Sequence, residues 1–76
     1  MSAARARYFA KDQLTAREIE VLTWTARGMT AQQTGKMLSI AKRTVDEHAQ
    51  NAIRKLGALN RTHAVALAVH KNLIAV

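Results

Sequence analysis

The segment Thr30–Gly57 reads TAQQTGKMLSIAKRTVDEHAQNAIRKLG, and its punctuation decides the fold. Thr30 followed by Gln33 is a capping box: the hydroxyl can accept from the Gln33 N–H while the Gln33 side chain reaches back to the Thr30 N–H. The spacing predicts a helix from there to about Leu38. Ser39-Ile40-Ala41 breaks it. A longer helix then runs from about Lys42 to Leu56, with Val45, Ala49, Ala52, Ile53 and Leu56 as its apolar stripe. Gly57 suits the left-handed position that stops it. Ala41 stands where a Ser or Asp cap is expected, so this helix opens without a side-chain cap.

The same signals extend outward. Thr15 and Glu18 form another capping box, with Leu14 placed as the staple residue before it. Ile19, Leu22 and Ala26 repeat at helical spacing and should face the core. Gly28 ends that helix, and only Gly28-Met29 separates it from the next, so the chain must turn sharply. Asn60 caps a fourth helix, from about Arg61 to Lys71. Gly35 weakens the second helix by roughly 1 kcal/mol relative to Ala, and close helix–helix approach is the compensating reason expected. The sequence has no period-2 run of β-branched and aromatic residues, so no sheet is expected. The expected fold is all-α, with four helices over residues 14–76 behind a lead-in of residues 1–13.

Composition narrows the function. The 76 residues hold 12 Lys and Arg against 5 Asp and Glu, a net charge of +7 that gives a reason to approach polyanions. The basic residues are spread along the chain, which counts against a membrane-surface helix. No apolar run approaches the ~20 residues of a membrane span. Met1–Lys11 lacks the apolar stretch of a signal peptide, and the absence of cysteine suits a reducing compartment, so a cytoplasmic protein is expected. No nucleophile–base–orienter set suggests catalysis. His48 is alone on its helix, with His63 and His70 on another, so a structural histidine is the better reading than a metal ligand. No enzyme activity, cofactor, metal or small-molecule pocket is expected.

A helix, a three-residue turn and a longer helix polar on one side is the helix-turn-helix geometry, whose second helix enters the major groove of DNA. Leu14-Thr15-Ala16-Arg17-Glu18, Gly28, Thr44-Val45 with His48, Asn51, Lys55-Leu56-Gly57 and Arg61 with Ala64-Val65 together resemble the LuxR/GerE-type DNA-binding signature. The likeness runs from residue 14 to 74 in order, and Leu22–Gly28 is similar to the quorum-sensing branch. It implies a four-helix transcription-regulator domain whose third helix reads DNA and whose fourth makes a dimer contact. Such domains often follow an N-terminal ligand-binding or receiver domain. The chain departs from the family where Thr34 and Gly35 replace Ile and Ala, Ala41 replaces a Ser or Thr cap, Asp46 replaces a common Lys, and Asn72 replaces Gly.

The site residues follow. Lys42, Arg43 and Thr44 open the third helix, where free N–H groups favour phosphate; two cations there are unfavourable for the helix alone and easier to understand with phosphate as neighbour. Thr30, Gln32 and Gln33 are further phosphate donors. Lys55 is a phosphate candidate too, although cations before Gly57 also suit a helix C-terminus. Asp46, Glu47 and Gln50 share the outer face. The resemblance points them at base edges, where Gln can pair with adenine and a carboxylate can accept from cytosine N4. The competing account is that the two acids complement the helix dipole. Trp24 could stack on bases, but one aromatic on a core helix is more often packing.

Residues 64–69 are apolar on every side of the fourth helix. Ala64, Val65 and Ala68 should cover the core, leaving Ala66, Leu67, Val69 and the adjoining His70 for a dimer interface. Packing on Tyr8-Phe9 is the alternative. The expected partners are double-stranded DNA and, weakly, a second copy or a related regulator. A different reading is a short protein-interaction module that pairs with and modulates a full-length regulator; Asp46 and Glu47 mildly favour it, while Lys42, Arg43 and the net charge favour DNA.

Overall fold

The computed structural model describes residues 14–75, which form four helices and, among those residues, no strand. They are α1 (Ala16–Ala26), α2 (Ala31–Leu38), α3 (Lys42–Leu56) and α4 (Arg61–His70). The lead-in residues 1–13, with Tyr8 and Phe9, lie outside the described part.

The local signals act as the sequence suggests. Both capping boxes close reciprocally, at Thr15 with Glu18 and at Thr30 with Gln33. Asn60 Oδ1 accepts from the His63 N–H at 2.9 Å. Ala41 makes no side-chain cap, so α3 opens with its first N–H groups unclaimed by a side chain. Gly57 stops α3 at φ +66°, and Asn72 takes φ +59° just beyond α4, a conformation that Asn tolerates. The fourth helix ends at His70, one residue before the expected end.

The core has two parts. Leu14, Leu22, Ala52, Ala64, Ala68 and Ile74 form one, with Ile19, Ala26, Ile53, Leu56 and Val65 packed around it. Val21, Val45 and Ala49 form the other, flanked by Ala31, Leu38 and Ile40 from α2 and the turn. Val21 was not expected inside. It is fully buried because α1 is covered on two sides: one faces α3 and α4, and the other, at Val21, faces α3 together with α2 and the turn. Much of this core is alanine, which lets the helices approach closely; the large contributions come from Leu22, Val21 and Val45, at about 1.5–3 kcal/mol each.

Gly35 is crowded, but by the turn rather than by a neighbouring helix. A Cβ there would lie 2.7 Å from the Ile40 carbonyl oxygen and 3.5 Å from the Lys42 nitrogen. The turn folds back over Gly35, and the Ile40 N–H donates to the Gly35 carbonyl at 2.9 Å. This contact fixes the direction in which α3 leaves α2.

Candidate nucleic-acid interface

With Val45, Ala49 and Ala52 turned inward, α3 presents Arg43, Glu47 and Gln50 to solvent. A shallow, open depression runs along this face, lined by Arg43, Asp46, Glu47, Gln50 and Asn51. The three base-reading candidates therefore share one surface with Arg43, which the sequence reading assigned to phosphate. Asn51 joins them; its spacing of four from Glu47 was the available signal. Its Oδ1 accepts from Arg54 at 3.1 Å.

Asp46 is not a bare carboxylate. Its Oδ2 accepts from Lys42 Nζ at 2.9 Å and its Oδ1 from an Arg61 guanidinium nitrogen at 3.2 Å. The Lys42 bond, followed by the Arg61 bond, holds its carboxyl below the usual aspartate range. Lys42 is therefore engaged, while none of the ion pairs among the described residues includes Arg43. Arg61 escaped the sequence reading because its partner is 15 positions away on another helix.

At the start of α2, Thr30, Gln32 and Gln33 are all exposed. The capping box uses acceptor atoms only, the Thr30 hydroxyl oxygen and the Gln33 carbonyl oxygen. The hydroxyl hydrogen and the amide NH₂ remain as donors, the groups a phosphate requires. Thr44 is half-buried.

Lys55, the remaining phosphate candidate, is engaged within the domain. Its Nζ lies 2.9 and 3.2 Å from the two carboxylate oxygens of Glu18, a side chain only 4% exposed. The ammonium is committed inward, tying α3 to α1. Burial pushes the Glu18 carboxyl up, but the Thr15 N–H and the Lys55 ammonium outweigh it and leave it below the usual range.

On α4, Ala64 and Ala68 are fully buried and Val65 packs on the core. Ala66, Val69 and His70 are exposed and Leu67 is half-buried. Trp24 is half-buried beneath Arg27, whose guanidinium sits 5.4 Å from the ring centroid. His63 Nδ1 accepts from the Leu59 N–H at 3.0 Å. Among the described residues no three His, Cys, Asp or Glu side chains gather as metal ligands, and no helix is long and apolar enough to cross a membrane.

Residues 12–68 match the family model described as bacterial regulatory proteins, luxR family. The chain belongs to the LuxR family. This LuxR-family chain is a helix-turn-helix DNA-binding domain of the transcription-regulator type, not an enzyme. It is 48% identical over 66 residues to the transcriptional activator protein BjaR1 of Bradyrhizobium diazoefficiens, a match covering 87% of this chain and 27% of the relative. It is 45% identical over 71 residues to the quorum sensing-dependent transcriptional regulator RpaR of Rhodopseudomonas palustris, covering 93% and 29%. The chain thus spans about a quarter of the length of the curated relatives it matches. Its fold is similar to the solved structure of the transcription factor GerE, with a TM-score of 0.79 and 29% identity over 82% of this chain and 92% of that one.

Proposed function

We propose that this domain binds duplex DNA sequence-specifically, with α3 in the major groove and Glu47, Gln50 and Asp46 facing base edges. Arg43, Lys42 and Thr44 at the start of α3, and Thr30, Gln32 and Gln33 at the start of α2, hold phosphates on either side. The observation that carries the reading is the outer face of α3: polar, exposed and joined into one shallow groove. It stands on a helix whose direction is fixed by the turn packed on Gly35. A helix in the major groove needs such a rigid mount, because base contacts discriminate only when register is fixed.

The outer face of α4 pairs two copies in this reading, and by likeness to the quorum-sensing relatives the domain is the output part of a cytoplasmic regulator. The interaction-module alternative would use the same face of α4 on a related regulator. It loses one of its supports, since the Asp46 charge is balanced by Lys42 and Arg61.

A labelled-duplex titration at several salt concentrations tests this. Affinity should fall steeply with salt, because phosphate contacts release counterions. Replacing Lys42 and Arg43 together with Ala should weaken binding to all sequences and flatten the slope. An unchanged slope removes the pair from the phosphate set; no duplex binding at low salt favours the interaction module.

A further inference from the structure

Two cations meet at Asp46, one on each carboxylate oxygen. Lys42 is the first residue of α3 and Arg61 the first residue of α4. Both stand at the positive end of a helix, where a cation is disfavoured. One carboxylate on the rim of the α3 groove offsets both. It also lowers the local charge of this rim from two positive groups to a net of one, at the place where a polyanion would dock.

We propose that Asp46 is a specificity-determining residue that acts through Lys42 and Arg61, withholding both cations from phosphate on duplexes that offer its carboxylate no donor. The inference rests on the reading of α3 as the DNA-facing helix and adds Arg61, from α4, to the DNA-contacting set. Ion pairs this exposed are weak, so a phosphate can compete for the cations. The Lys42 side chain is 62% exposed and leaves easily; that of Arg61 is 31% exposed and is held more firmly. Once either cation turns to phosphate, Asp46 is left partly bare against the same polyanion. That arrangement is unfavourable on an arbitrary sequence. It becomes favourable where a base-edge donor, such as the cytosine N4 amino group, takes up the carboxylate. The bridge thereby lowers non-specific affinity more than specific affinity, which is discrimination by a repulsive element. A bridge that merely held the cations ready for phosphate would act oppositely. Charge decides between them: phosphate affinity follows the net charge brought to the backbone, and the carboxylate subtracts from it.

The test uses the full 76-residue chain and a labelled random-sequence duplex pool of roughly 30 base pairs, long enough for two half-sites. Asp46→Asn should bind the random pool about threefold to tenfold more tightly than the parent, the range expected from freeing two exposed ion pairs. The salt dependence of log K should steepen by roughly 0.9 for each cation that reaches a phosphate. Arg61→Gln should remove part of the gain in the Asp46→Asn background. After repeated selection, the parent should enrich a base-pair preference that Asp46→Asn loses. Random-pool affinity that is unchanged or weaker in Asp46→Asn, or a gain indifferent to Arg61→Gln, overturns the proposal. A parent that binds no duplex at low salt instead overturns the DNA reading beneath it. Circular dichroism checks that each variant melts cooperatively; should Arg61→Gln not, Lys42→Gln takes its place in the cycle and should likewise remove part of the gain in the Asp46→Asn background.

Discussion

Lys55 Nζ on α3 reaches both carboxylate oxygens of Glu18 on α1, at 2.9 and 3.2 Å, across 37 positions of sequence. The carboxylate also accepts the Thr15 N–H at 3.0 Å, so a single buried acid caps α1 and anchors α3. Lys55→Met would leave the charge buried with only the cap as partner. It should lower unfolding stability by about 3 kcal/mol, the low end for a broken buried pair, since Lys55 keeps some access to solvent. Denaturant unfolding measures this. The DNA salt slope should stay that of the parent; a flatter slope with unchanged stability would return Lys55 to the phosphate set.

Acid should expose the same pair. The folded-state pKa of Glu18 is held below its ordinary value of 4.5 by Thr15, Lys55 and, more weakly, the charge of His48, against the opposing effect of burial. A depressed carboxyl contributes stability above its unfolded pKa and loses it as pH falls through the folded value, because the unfolded state then binds more protons. Asp46 acts in the same direction from 3.8, but it is well exposed and contributes less. Melting temperature should therefore fall as pH drops below about 4.5, and Glu18→Gln should flatten that fall. A Glu18→Gln profile parallel to the parent's would show that the pair does not carry the acid sensitivity.

Thr34 is fully buried and its Oγ1 has no hydrogen-bond partner. The LuxR/GerE-type resemblance implies Ile at this position, and the hydroxyl is a polar group without a counterpart. Thr34→Val keeps the shape and removes the unsatisfied oxygen, with little change in helix propensity. It should stabilise the domain by about 1–2 kcal/mol, which for a domain this small raises the melting temperature by roughly 4–8 °C per kcal/mol. A lower melting temperature would mean that the hydroxyl has a partner in solution.

The helices were legible because their ends are written locally: Thr15 with Glu18, Thr30 with Gln33, Asn60, Gly28 and Gly57 each act within a few residues. The exposed face of α3 was legible for the same reason, since helical period alone separates Gln50 from Ala49. What joins distant positions was not. Lys55 and Arg61 carry no local sign of their partners, and a cation before a glycine reads equally as a helix cap or a phosphate contact. Val21 was missed because a one-stripe reading of α1 cannot register a helix covered on two sides. Gly35 announced a close approach, but only the fold shows that the turn makes it.

The face of α4 gives the sharpest contrast between neighbouring positions. Ala68 is fully buried, so Ala68→Asp places an unpaired charge in the core and should abolish the cooperative melt. Leu67 is half-buried and lies with exposed Ala66 and Val69 on the outer side. Leu67→Asp should therefore leave the monomer folded. Two short helices bury little area, so copies paired through this face should associate weakly in solution and mainly on DNA, where both half-sites hold them. A twofold pairing would set the two α3 helices about one DNA turn apart, roughly 34 Å, on an approximately palindromic site. A titration of one-half-site and two-half-site duplexes reads this directly. The parent should fill two half-sites cooperatively, and Leu67→Asp should bind each half-site with the parent's single-site affinity but without cooperativity. If Leu67→Asp unfolds, or if it fills two half-sites as cooperatively as the parent, this face of α4 is not where copies meet.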